Sequence, residues 1–183
     1  MSKVTGIVGS PRKNGNTKIL VEKVLEGARR KGVEARIYIL NDMKINGCQG
    51  CFYCQEHGEC KQNDDMKELY LALKESQGIV IGSPIYMDYV TGQTKIFIDR
   101  LFALMRLNSE EKPLSGKRLV LVYSQGGGNT GESVMKEISR FFEFLGMETV
   151  GIIGGNGLND PGSVLNRTDL LKKAKEIGEK LLE

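Results

Sequence analysis

"VTGIVGSPRKNGNTKILVEKVLEGARRK", residues 4–31, changes its hydrophobic rhythm once, and that change decides the fold. Val4 to Val8 is an apolar run of strand length. Lys18 to Lys31 repeats apolar side chains at helical spacing, through Leu20, Val24 and Ala28. Between them lies a polar, glycine-bearing loop. A strand that is apolar throughout is buried on both faces, so its sheet carries helices on both sides.

The same alternation continues along the chain. Further strands are expected at Ala35 to Leu40, Gly78 to Ile81, Leu119 to Tyr123 and Thr149 to Ile153. Helices are expected over Asp65 to Ser76, where Asp65 and Glu68 have capping-box spacing, and over Gln93 to Leu107. Another places Val134, Ile138, Phe141 and Leu145 on one face, and the last begins near Asp169. Five strands and five helices predict an α/β fold: a doubly wound parallel sheet in the flavodoxin-like order 2-1-3-4-5. No repeat, low-complexity tract or linker interrupts it, so residues 1–183 are expected to form one domain.

Composition narrows the function. The net charge of +3 is mild and forms no basic stripe, which argues against nucleic acid as a partner. No apolar run approaches the roughly 20 residues of a membrane span. The start, MSKVTGIVGSPRKNGN, lacks the apolar stretch and cleavage site of a signal peptide, so a cytoplasmic location is expected. Thiols stay reduced there and structural disulfides are rare.

In this sheet order a ligand sits at the carboxyl ends of strands 1 and 3. The loop after strand 1, GSPRKNGNTK, is not an ATP loop: five residues separate Gly9 from Gly15, and Asn16 stands where the phosphate-binding lysine belongs. It still suits a terminal phosphate. Ser10, Asn16 and Thr17 offer hydroxyl and amide donors, Arg12 a charged fork, and the helix its free N–H groups. A plain polar turn with Asn16 or Thr17 as the N-cap is the alternative. A helix dipole supplies about 0.3–1 kcal/mol, whereas micromolar binding needs roughly 8, so other contacts must hold the ligand. After strand 3, Gly82-Ser83-Pro84 is expected to end the strand, leaving Ile85, Tyr86 and Met87 as a wall for a flat heterocycle. A third loop, SQGGGNTGES from Ser124, is small enough to approach a ligand closely.

All four cysteines, Cys48, Cys51, Cys54 and Cys60, fall within CQGCFYCQEHGEC, residues 48–60. Zinc sites usually use two separated knuckles, and a CxxC thiol switch would leave two cysteines unexplained. The C-x2-C-x2-C run matches the way ferredoxins wrap a cluster. With no second set of cysteines, Cys60 would close the same cluster. His57, the only histidine, offers a Cys3His zinc site as an alternative, although its neighbours are polar and loop-like.

The patterns GSPRxxxNT and GSPIYxxxxxxxxKxFIDR resemble the NAD(P)H-dependent FMN reductase superfamily of flavodoxin-like proteins. The cysteine run after strand 2 resembles, more narrowly, the iron–sulfur flavoproteins of that group. The resemblance implies FMN, with phosphate on Ser10, Arg12, Asn16 and Thr17 and isoalloxazine against Pro84, Ile85, Tyr86 and Met87. It implies a further contact from Ser124, Gln125 and Gly126. Together with the spacing it favours a [4Fe–4S] cluster on the four cysteines, in a loop about 47–62, over zinc or free thiols.

The expectation is a redox protein that takes electrons from a one-electron donor such as ferredoxin and passes them to oxygen, peroxide or a quinone. Alternatives are an NAD(P)H-dependent FMN or quinone reductase whose cysteine loop is structural, with zinc or metal-free, and a pure electron carrier. The segment TKIFIDRLFALMRLN is apolar nearly all round. A surface helix needs only one apolar stripe, so the segment is either a deeply buried helix or a homo-oligomer face, dimer or tetramer, beside the flavin, and the resemblance favours the oligomer.

Overall fold

The computed structural model describes residues 3–183; Met1 and Ser2 of the expected domain lie outside the described residues. The strands are β1 (Lys3–Val8), β2 (Glu34–Ile39), β3 (Gly78–Tyr86), β4 (Tyr89–Val90), β5 (Arg118–Ser124) and β6 (Glu148–Gly155). The helices are α1 (Asn16–Arg29), α2 (Tyr53–His57), α3 (Met66–Glu75), α4 (Gly92–Arg100), α5 (Gly131–Phe144) and α6 (Thr168–Glu179). The flavodoxin-like α/β class stands, but the expected five strands become six. The sheet runs β2-β1-β3-β5-β6, and β4 pairs antiparallel with the end of β3. The order therefore reads 2-1-3-5-6 rather than 2-1-3-4-5. The extra strand arises because Pro84 does not end β3. Pro84 pairs with Ser124 at the edge of the parallel ladder, and the chain runs on to Tyr86 before turning back.

Period-two alternation divides the core between the two faces of the sheet. Ile7, Ile79, Ile81, Leu119 and Leu121 pack with residues of α3, α4 and α5 on one face. Val4, Val8, Val80, Val120 and Val122 pack with α1 and α6 on the other. Helices α1 and α6 cross backbone to backbone. A Cβ on Gly27 would collide with the Lys175 carbonyl oxygen, and one on Gly178 with that of Val24.

Two helical expectations are corrected by side-chain hydrogen bonds. Helix α3 begins at Met66 without the Asp65–Glu68 box. Asp64 Oδ1 accepts from the Met66 amide instead, and Asp65 Oδ2 accepts from the Lys44 amide. The helix expected to reach Leu107 leaves α-geometry at Arg100 and tightens into a 3-10 turn over Leu101–Leu104. There Gln55 donates to the Phe102 and Met105 carbonyls, and Arg106 to those of Ala103 and Met105. Acceptors that a continuing helix would give to its own amides are thus held by side chains.

Candidate functional site

The carboxyl ends of β1, β3 and β5 open onto a cavity of about 630 Å3. Ser10, Arg12, Asn16 and Thr17 line one side, Pro84, Ile85, Tyr86 and Met87 another, and Ser124, Gln125 and Gly126 a third. The fold thus brings together every residue expected there from the sequence. It adds Gly15, Asp88, Gly127, Leu158 and Asn159. Leu158 and Asn159 follow β6, at the same end of the sheet as the other loops. That shared end was the available signal for them.

Local chemistry sets what each side chain can do. Gly15 is the N-cap of α1 and makes no side-chain cap hydrogen bond, and the first turn holds no acidic residue. Neither Asn16 nor Thr17 caps the helix, so its first-turn amides have no side-chain acceptor. Asn16 is occupied elsewhere. Its Nδ2 donates to the Leu158 and Asp160 carbonyls and its Oδ1 accepts from the Val164 amide, pinning the loop after β6. The Thr17 and Ser124 hydroxyls bond each other at 2.7 Å. The Gln125 side chain caps α5 by accepting from the Gly131 amide. Arg12 is exposed, and its Nη1 donates to the Asn159 carbonyl at 2.9 Å. On the apolar side, Ile85 is buried while Met87 is 98% exposed. Met87 and Asp88 turn at φ 49° and 57°, left-handed values that Asn and Gly adopt more readily.

Helix α4 begins beside this cavity. Thr91 Oγ1 donates to the Gly9 carbonyl and accepts from the Thr94 amide, capping the helix and fastening the first loop together. A Cβ on Gly9 would collide with Thr94 Oγ1, so only glycine permits this approach.

The far end of α4 reaches the cysteines. Cys48, Cys51, Cys54 and Cys60 all line one small cavity, which Arg100, Phe102 and Ala103 close from beneath. Cys54 is buried, Cys60 half-buried, and Cys48 and Cys51 are exposed. Phe52, between two of them, is held at φ 57° with its ring edge-on to Phe102 at 5.6 Å. His57 stands apart, stacked on Tyr53 at 3.9 Å, and does not line the cavity. Among the described residues, no three His, Cys, Asp or Glu side chains are gathered for a single metal ion.

Comparison with known proteins places the chain in a family. The profile of the NADPH-dependent FMN reductase family matches residues 2–153. An iron–sulfur flavoprotein of Methanocaldococcus jannaschii is 35% identical, over 99% of this chain and 96% of its own. The chain belongs to the iron–sulfur flavoprotein family. Another member, from Archaeoglobus fulgidus, is 35% identical over 99% of this chain and 79% of its own. Among solved structures, the NAD(P)H:quinone oxidoreductase from Methanothermobacter marburgensis superposes with a TM-score of 0.76 at 15% identity, covering 100% of this chain and 98% of its own. At that identity the likeness shows the fold.

Within this family member a buried ion pair lies beside the cysteines, Arg100–Asp64, whose side chains are 1% and 4% exposed. Burial pushes the Asp64 carboxyl up. Hydrogen bonds from Arg100 and from the Asn46 and Met66 amides outweigh it, and Asp64 titrates below the usual carboxylate range. Sequence reading used Arg100 only as part of a family pattern. The missed signal is its position, three residues after Phe97 and next to Leu101, inside the buried stripe of α4. No described helix is long and apolar enough to cross a membrane.

Proposed function

We propose that this flavin-dependent redox protein binds FMN in the 630 Å3 cavity and a [4Fe–4S] cluster on Cys48, Cys51, Cys54 and Cys60. On this reading it takes single electrons from a donor such as ferredoxin and delivers them to oxygen, peroxide or a quinone. The observation that carries it is the convergence of all four cysteines on one cavity at the opposite end of α4 from the phosphate loop. FMN supplies storage of two electrons released singly or together, and the cluster supplies one-electron transfer.

The residues fit both groups. For FMN, the uncapped amides of α1 and the Arg12 fork provide donors and positive charge for a phosphate. Ile85, Tyr86 and Met87 provide the apolar wall for a planar ring. Asn16, Thr17, Ser124 and Gln125 brace this cradle, holding the loops in place through their side chains. For the cluster, four thiols ring a cavity, and a buried donor beside them, Arg100 Nε, has no partner among the described residues. The C-x2-C-x2-C run followed by Cys60 is the ferredoxin-like spacing that favours several iron corners over one zinc. Cys48 and Cys51 are the exposed pair of the four, and Cys51 lies outside the apolar groove that takes in Cys48.

The test is anaerobic reconstitution of wild type, Cys54→Ala and Cys60→Ala, followed by assay of iron, sulfide, zinc and FMN. Wild type is expected to take up iron and sulfide. Both variants are expected to lose them and keep FMN, because the phosphate loop is separate. Steady-state reduction by NADH, NADPH and reduced ferredoxin then separates the electron-transfer reading from an NAD(P)H-dependent reductase. Stoichiometric zinc in wild type, or no sulfide uptake, would overturn the cluster assignment.

A further inference from the structure

Arg100 makes more hydrogen bonds than an ion pair requires. Its Nη1 donates to Asp64 Oδ2 at 2.6 Å and to the Asn46 carbonyl at 2.7 Å. Its Nη2 donates to Asp64 Oδ1 at 3.0 Å and to Cys60 Sγ at 3.5 Å. Asn46 precedes the first cysteine and Asp64 follows the last, so one planar fork spans both ends of the loop. Its side chain is 1% exposed, and Nε–H, also buried, has no partner among the described residues.

We infer that Arg100 is a positioning residue for the cysteine loop and raises the reduction potential of the cluster proposed there. The inference rests on the cluster reading. A purely structural pair would need only Asp64, and well-packed apolar side chains would serve stability as well. What remains after Asp64 and the Asn46 carbonyl are bonded is a donor on Cys60 and another still unbonded, both on a side chain that lines the sulfur cavity. Reduction by the one-electron donor adds one negative charge to the iron–thiolate unit and moves no proton. A cationic N–H on a thiolate sulfur favours that added charge, and the Asp64 carboxylate opposes it. The two members of the pair therefore pull the potential in opposite directions.

Opposite signs make the test. Wild type, Arg100→Lys and Asp64→Asn are reconstituted anaerobically; FMN, iron and sulfide are assayed, and the cluster midpoint is measured by EPR-monitored titration. A lysine can satisfy Asp64 but not Cys60 as well, so Arg100→Lys is expected to shift the midpoint negative. Asp64→Asn keeps an acceptor for Arg100 without the charge, and its midpoint is expected to shift positive. Shifts of the same sign, or none in either variant, overturn the inference, because simple loosening of the loop would move both alike. If Arg100→Lys does not fold, judged by lost FMN, then Asp64→Asn decides alone, and an unchanged or negative shift sinks the inference. Failure of wild type to take up sulfide overturns the cluster reading and this inference with it. A loaded wild type with unmoved variants overturns the inference alone.

Discussion

Arg12 and Met87 both line the 630 Å3 cavity, and each carries a prediction of its own. Arg12 is an exposed cation whose guanidinium, among the described residues, bonds only the Asn159 carbonyl, leaving donors free for a phosphate. A charge-assisted hydrogen bond is worth about 1.5–3 kcal/mol. Arg12→Ala is therefore expected to weaken FMN binding roughly 10- to 100-fold, with riboflavin little affected. Calorimetry with both ligands checks this, and equal losses would remove Arg12 from the phosphate site. Met87 occupies a two-residue hairpin turn with φ 49°, where Asn is more at ease. Relief of about 1 kcal/mol in Met87→Asn is expected to raise Tm by about 2–4 °C. The same change removes apolar wall from the cavity, so FMN affinity should fall as Tm rises. Thermal melts and flavin titration of one preparation measure both.

Among the elements, α1 is fixed by its crossing with α6 and α4 by its two ends. Gly27→Ala puts a Cβ against the Lys175 carbonyl oxygen, a backbone atom that cannot swing aside. Overpacking of this kind costs about 1–3 kcal/mol, against a helix-propensity gain of about 1. Net destabilisation in urea is expected, and a variant as stable as wild type would show the crossing to be looser. Beside it, Glu26 on α1 bonds Lys175 of α6 and Lys23, and its pKa is held at about 2, below the model-compound value of 4.5. Its contribution to stability is present above pH 4.5 and fades as pH falls towards 2. The side chain is 41% exposed, so solvent screening keeps this contribution below about 1 kcal/mol. Glu26→Gln should be less stable than wild type at pH 7 and converge with it near pH 2. Urea midpoints across that range decide it. Helix α4, nine residues long, sets the two candidate sites apart by about 14 Å of helix rise.

For the whole molecule, the apolar surplus of residues 93–107 is only partly hidden. Phe97 and Leu101 are fully buried, as an internal helix would have them. Ile98, Phe102 and Met105 instead border a groove of about 670 Å3 that also takes in Cys48, Phe52, Tyr89 and Phe141. This groove is where a second copy is expected to sit, and light scattering at micromolar concentration should give a dimer or tetramer. A strictly monomeric mass would rule it out.

Hydrophobic period and loop chemistry were enough to read the α/β class, the helices on both faces and the first two groups of residues on the 630 Å3 cavity, but not Gly15, Asp88, Gly127, Leu158 or Asn159. Those signals are local: burial on both faces requires apolar strands, and a phosphate loop requires small donors before a helix. That the four cysteines would share one cavity was legible for the same reason, since they lie within thirteen residues of sequence. The roles of Asn16 and Gln125 were not, because their hydrogen-bond partners depend on which backbone groups the fold leaves open. Neither was the end of α4, which Gln55 and Arg106 set from outside the helix. Arg100 is the clearest case. From the sequence it is one cation in an apolar helix, and only packing brings Asn46, Cys60 and Asp64 to its fork. A buried charge is tolerated only where partners from other segments converge, and convergence is a property of the tertiary structure.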